Sequence, residues 1–240
     1  MSRPARQWLA AVAATVLLAA CGGGGDDGPP PPTNDFDAQA AWANFLDGGP
    51  GSLWTVYGRG SDGQDYSLRL GVAPVGNASF PVTNAPANRA DVASVLRRNG
   101  VVIGTGTSEL YYDNDLQLYG SRDTFDVVGQ PLAPSTCDEA TAWDIPPIAA
   151  KIGASGLLAT NQVLDGCTTT SGVLGSSTVR WSLEWIWGVS FFCVGFDEQS
   201  NGGLRTREKH CFETDAAGHL GTRAYVLMES PGFVLEMSTP

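Results

Sequence analysis

Few side chains in this sequence are equipped for chemistry. There are two histidines, His210 and His219, and the carboxylates gather at Asp62 and Asp65 and again at Asp113 and Asp115. Paired carboxylates can run glycoside hydrolysis or hold calcium. The spacing fits no EF-hand loop, and Asp and Asn are ordinary turn residues, so turns are expected at both places. Gly58-Arg59-Gly60-Ser61-Asp62-Gly63 matches a dinucleotide-binding Gly-x-Gly-x-x-Gly. A strand pattern from Tyr66 to Leu70 follows it, where a pyrophosphate would need a helix N-terminus. It therefore reads as a hairpin loop. The sequence has no Gly-x-Ser-x-Gly elbow, no phosphate loop ending in Gly-Lys-Ser/Thr and no His-Glu-x-x-His. Cys193, His210, Cys211 and His219 match no zinc spacing. No catalytic residue, metal or cofactor is expected.

A row of tryptophans is the most pointed feature of the body. Period-two spacing places Trp181, Trp185 and Trp187 on one strand face, with Ser182, Glu184 and Ile186 on the other. Such a row either packs as a core strand or lines a cavity, because indole faces suit apolar and sugar ligands alike. These three residues are the candidate ligand-binding set.

The N-terminus carries a different kind of chemistry. Arg3 and Arg6 precede an apolar run, Trp8 to Ala20, broken only by Thr15. The run is shorter than the roughly 20 residues that span a bilayer and fits a cleaved secretory signal. It ends Leu18-Ala19-Ala20-Cys21. This resembles the lipobox of bacterial lipoproteins. The resemblance implies that Cys21 receives a diacylglycerol, that residues 1–20 are removed, and that a further acyl chain caps the new amine. It also implies an envelope address, with Gly22 in place of an aspartate favouring the outer membrane. Two or more acyl chains hold a protein stably on a bilayer. Four glycines, two aspartates and four prolines follow, and residues 21–35 read as a tether reaching at most about 50 Å.

Losing Arg3 and Arg6 takes the net charge from −11 to −13. An acidic body disfavours nucleic acid, leaving the membrane, through the lipid, as the one expected partner. With Cys21 lipidated, Cys137, Cys167, Cys193 and Cys211 remain. An even number in an exported chain suggests two disulfides. Three connectivities are possible, and the shortest loops favour Cys137–Cys167 with Cys193–Cys211.

The elements that must position these residues are mainly strands. One short helix is expected over Ala38 to Leu46, capped by Asp35 or Asp37. Period-two segments then run from Leu53 to Tyr57, Tyr66 to Val72, Glu109 to Tyr112, Leu116 to Tyr119 and Thr124 to Val128. Asn99-Gly100 signals a hairpin between Ala93–Arg98 and Val101–Thr105, with a helix over Asp91 to Arg98 as the rival. Residues 130–177 read as a long disulfide-pinned connection with a strand or short helix near Leu157 to Leu164. Thr178 to Phe196, Arg205 to Glu213, Thr222 to Glu229 and Phe233 to Met237 complete the pattern. Roughly ten strands argue an antiparallel sandwich or barrel over residues 36–240. Tyr66-Ser67-Leu68 and Trp181-Ser182-Leu183 echo each other, as do Gly100 with Gly104-Thr105 and Gly218 with Gly221-Thr222. The echoes suggest a duplication with halves at about 50–130 and 175–240. A non-enzymatic binding or scaffolding lipoprotein is the leading function. The alternatives are a hydrolase of a surface polymer and a carrier of a hydrophobic ligand in a barrel cavity.

Overall fold

From Leu53 onward apolar and polar residues alternate, and that period builds strands. The computed structural model describes residues 29–48 and 52–240; the expected signal segment, Cys21 and the glycine run lie outside those residues. Twelve strands follow one helix, α1 (Ala38–Leu46): β1 (Leu53–Gly60), β2 (Asp65–Ser79), β3 (Pro86–Arg98), β4 (Val101–Tyr112), β5 (Leu118–Val127), β6 (Thr136–Trp143), β7 (Ser155–Leu164), β8 (Val173–Ile186), β9 (Val189–Ser200), β10 (Arg205–Thr214), β11 (Leu220–Ser230) and β12 (Phe233–Ser238). Each pairs antiparallel with its neighbours in sequence, and β1 pairs with β12, so the sheet closes as a barrel. The seam aligns Tyr57 with Ser238 and Gly58 with Met237.

Closure fixes an inside and an outside. Trp54, Leu68, Leu70, Trp181, Leu183, Phe192, Val194, Phe212 and Leu235 point inward and form one buried core. The outer wall carries charges, with Arg69, Asp91, Glu109, Arg122, Glu184 and Arg207 on alternate positions of six different strands, beside two small apolar clusters around Tyr111 and Phe191. A barrel spanning a bilayer needs the reverse, since one Arg or Lys facing lipid at mid-depth costs about 2–4 kcal/mol. Ion pairs order this wall: Arg89 sits 2.9 Å from Asp91, and Arg205 and Arg207 flank Asp197. The hydrogen bond from Arg205 holds the Asp197 carboxyl below its ordinary range.

The helix stops one end of the barrel. Asp37 caps it, its Oδ1 accepting from the Ala40 amide at 2.8 Å. Gly48, at φ +56°, follows its last turn. Trp42, Phe45 and Leu46 bury into the barrel interior, where Phe45 meets Phe212 at 5.3 Å. Loops on three sides hold the helix there. Trp42 Nε1 donates to the Leu116 carbonyl, Asn44 Nδ2 to that of Gly218, and the Gln39 amide to that of Pro147.

Both expected disulfides form, Cys137–Cys167 and Cys193–Cys211. Both lie outside the barrel wall. Cys193 and Cys211 face each other across β9 and β10 beside Phe191 and Tyr225. Cys137 packs with Phe80 and Tyr111, under the tip of the long β2–β3 hairpin. Cys193 and Cys211 are fully buried, whereas Cys167 is half-exposed. Mild reductant with alkylation should therefore label Cys137 and Cys167 first, as read by peptide mass. Replacing Cys193 and Cys211 by alanine should cost about 3 kcal/mol in urea unfolding, the loop-closure value for a loop of that size.

Several expectations need correction. The segment 130–177 is not one long connection: it holds β6, β7 and the start of β8. Its period is broken by bulges at Ala140/Ala142 and Leu157/Ala159, which hides the strands from a two-residue count. The hairpin expected at Asn99-Gly100 forms, and Asp91–Arg98 is strand and not the rival helix. Val101–Thr105 and Glu109–Tyr112 join as β4, and Leu116 lies in a turn at φ +67°. Of the two architectures expected, sandwich or barrel, the barrel is the one that forms. The segments of the internal echo occupy different places along the strands. Gly71-Val72 lies within β2 whereas Gly188-Val189 spans the β8–β9 turn, and Gly100 and Gly218 turn at opposite ends of the barrel. The two expected halves are arcs of one closed sheet.

Candidate functional site

Away from the helix, inward positions on β4 to β10 turn partly polar, whereas Tyr66, Leu68, Leu96, Met228 and Phe233 keep the facing arc apolar. Register locates the change. Ser108 precedes the core residue Leu110 by two, and Leu110 pairs with Ser121, so Ser108, Ser121 and Asp123 share the inner face. Ser121 pairs with Asp138 on β6. Asn161 on β7 pairs with Ser177 on β8, which pairs with Glu198 on β9. Glu198 pairs with Thr206, and Glu208 and His210 continue the inner face of β10. A polar belt thus runs inside the wall from β4 to β10, carrying the carboxylates of Asp123, Asp138, Glu198 and Glu208.

Hydrogen bonds preset the belt. Ser108 Oγ and Ser121 Oγ donate to the two oxygens of Asp123, at 2.5 and 2.8 Å. Asn161 Nδ2 donates to Ser177 Oγ at 2.9 Å, and Ser177 Oγ donates to Asp138 Oδ2 at 2.7 Å. The serine hydroxyl protons and one Asn161 N–H are thereby committed, and the polar atoms left over in the belt are mostly acceptors. Asn161 Oδ1 is buried without a hydrogen-bond partner, on a residue only 2% exposed. An unsatisfied buried acceptor costs about 1–3 kcal/mol, and such sites call for a ligand or a water. Glu208 lies nearer solvent, its side chain 44% exposed, with His210 Nε2 3.3 Å from its Oε2. On the lip, Phe125 covers Gly104 and Gly106, where a Cβ would meet its ring at 2.7 and 3.1 Å. Tyr66 donates to Asp62 Oδ2 at 2.8 Å, and burial followed by that carboxylate raises its hydroxyl pKa.

The residues singled out from sequence fall elsewhere. Trp181 is buried in the core, and Trp185 sits at the helix end, its Nε1 donating to the Pro29 carbonyl at 3.0 Å. Trp187 leaves the row altogether: β8 ends at Ile186, and Trp187 stands in the turn, 68% exposed. The three indoles do not line one wall. Asp113 Oδ1 accepts the amides of Asp115 and Gln117, and Asp62 Oδ1 that of Gln64, so these carboxylates shape turns. His219 pairs with Asp215 in the β10–β11 turn, far from His210. Burial would raise the Asp215 carboxyl, but hydrogen bonds from the His219 ring and amide outweigh it and hold it low. Among the described residues the one group with metal-ligand spacing is Glu184 with Cys193 and Cys211, and those sulfurs are bonded to each other.

Sequence reasoning missed the belt because it assigned inward positions to apolar residues. The legible signal was Asp138 itself, a carboxylate one step out of phase with the outward-facing Cys137. Comparison with protein-family models, with curated proteins and with solved structures finds no match to this chain.

Proposed function

We propose that this chain is a lipid-anchored envelope module that binds, without chemistry, an elongated ligand carrying several ammonium groups in the polar end of its barrel. The observation that carries the reading is the buried Asn161 acceptor at the centre of a belt of preset carboxylates. Acceptors on the inner face suit N–H donors, and the four carboxylates suit positive charge. They sit on four strands, β5, β6, β9 and β10, and that spread suits several charges along a chain better than one compact ion. The helix end carries no such belt, since Trp42, Phe45, Trp54 and Phe212 pack there against one another.

Calorimetry with spermidine as the probe tests this. Binding should be present and weaken as salt rises, because charge pairs near solvent are screened. Asp138→Asn should weaken it at least about tenfold, equivalent to about 1.4 kcal/mol, and Asn161→Leu should do likewise. Glu208→Gln, near solvent, should cost less and act mainly on the association rate. Affinity unchanged in Asp138→Asn and Asn161→Leu proteins of native circular dichroism would overturn the assignment.

A further inference from the structure

Two hairpin turns of this barrel share one backbone geometry and differ in their first residue. At the far end, Asn99-Gly100 joins β3 to β4 with φ values of 51° and 80°. At the helix end, Trp187-Gly188 joins β8 to β9 with φ values of 50° and 79°. Asparagine tolerates the left-handed region, whereas a bulky side chain there is strained. Packing does not explain the choice of tryptophan, since the indole touches Tyr225 only edge-on at 5.6 Å and stays mostly in solvent. A strained, exposed aromatic at a turn points to a role outside the fold.

Its surroundings indicate which role. The exposed tryptophans among the described residues are Trp143, 45%, and Trp187, 68%, and both lie at the helix end. Trp143 ends β6, two strands from the β8–β9 turn, and Ile148, 71% exposed, stands in the adjoining β6–β7 connection. The chain arrives from the N-terminus at this same place. The Pro29 carbonyl takes the Trp185 hydrogen bond, Pro29 packs beside Gly188, and Lys151 Nζ binds the Thr33 carbonyl and the Asp35 carboxylate. Residues 29–35 therefore run along the rim instead of spacing the body away from it. Only seven residues separate Pro29 from Cys21, a reach of at most about 29 Å over eight steps.

We propose that the rim bearing Trp143, Ile148 and Trp187 rests in the interfacial layer of the membrane that holds Cys21, with the polar mouth of the barrel facing away. The inference rests on the lipid-anchor reading. Indole favours the headgroup region, where its ring is half in hydrocarbon and its N–H in water. A short tether beginning beside Trp187 brings this end, and not the opposite one, within reach.

The test uses the full chain, made as a lipoprotein and reconstituted into phosphatidylcholine vesicles with brominated acyl chains, which quench tryptophan at short range. Mass spectrometry of the N-terminal peptide reports the anchor separately. With Cys21 acylated, wild-type fluorescence should be quenched, and the Trp143→Phe/Trp187→Phe protein should lose most of that quenching. Trp187→Asn, which suits the turn geometry, should lose part of it with unchanged circular dichroism. Acylated protein with no quenching, or with equal quenching in wild type and double variant, overturns the docking alone; a protein partner for this rim would give that result. Unmodified Cys21 in protein that does not sediment with vesicles overturns the anchor, and the docking with it.

Discussion

Gly58→Ala should open the barrel at its seam. Gly58 lies where the first strand meets the last, and a Cβ there would stand 1.8 Å from the Glu236 carbonyl oxygen and 3.0 Å from Met237 Cα. Both obstacles are backbone, so no side chain can swing aside, and β1 and β12 must separate for the methyl to fit. The loss should reach at least the ~3 kcal/mol found at the upper end for overpacked cores, and equilibrium urea unfolding reads it. Gly71→Ala is the control, because its Cβ would make ordinary contact with Leu53 Cδ1 at 3.5 Å. That substitution should be neutral or stabilise by up to ~1 kcal/mol by restricting the unfolded chain. Equal losses at the two glycines would show that the seam is not tightly closed.

Trp42→Ala should cost about 3–5 kcal/mol, the range for emptying a large buried aromatic site. Trp42 is fully buried, stacks on Phe45 at 5.6 Å and donates to the Leu116 carbonyl at 3.0 Å. Its removal takes out the helix's deepest contact with the barrel and leaves that carbonyl without the bond. Trp42→Phe separates the two contributions, keeping a ring against Phe45 while losing the hydrogen bond, and should cost about 1–3 kcal/mol. Thermal unfolding followed by near-ultraviolet circular dichroism would order the series wild type, phenylalanine, alanine. An alanine protein as stable as wild type would mean that the helix is not what stops this end.

The sequence was most readable where one residue type meets one backbone need. Asn99-Gly100 announced its turn because both residues adopt positive φ cheaply. The helix announced itself through Asp37 and Gly48. The disulfides followed from four cysteines and the shorter loops. Trp187-Gly188 was unreadable for the opposite reason: nothing in local preference puts tryptophan in a left-handed turn, so an unbroken period carried it onto the same face as Trp181. The strand β7 was legible near Leu157 to Leu164, whereas β6 was obscured by its bulge. The belt was hidden more deeply, because alternation locates inward positions by their being apolar. Asp123 and Asp138 violate that premise, and only register with Leu110 and Ser121 shows that they point inside.

The pairing of β1 with β12 also sets the order in which this protein can be finished. Every other pairing joins neighbours in sequence and can form as the chain lengthens. The last pairing cannot form until Phe233–Ser238 has been made. Until then the growing sheet has two unsatisfied edges, β1 at one side and the newest strand at the other, and free edges recruit strands from other chains. Each partly made copy is thus a template for aggregation throughout synthesis. Protection by a holding chaperone matters most in that interval, and the hazard ends in one late step.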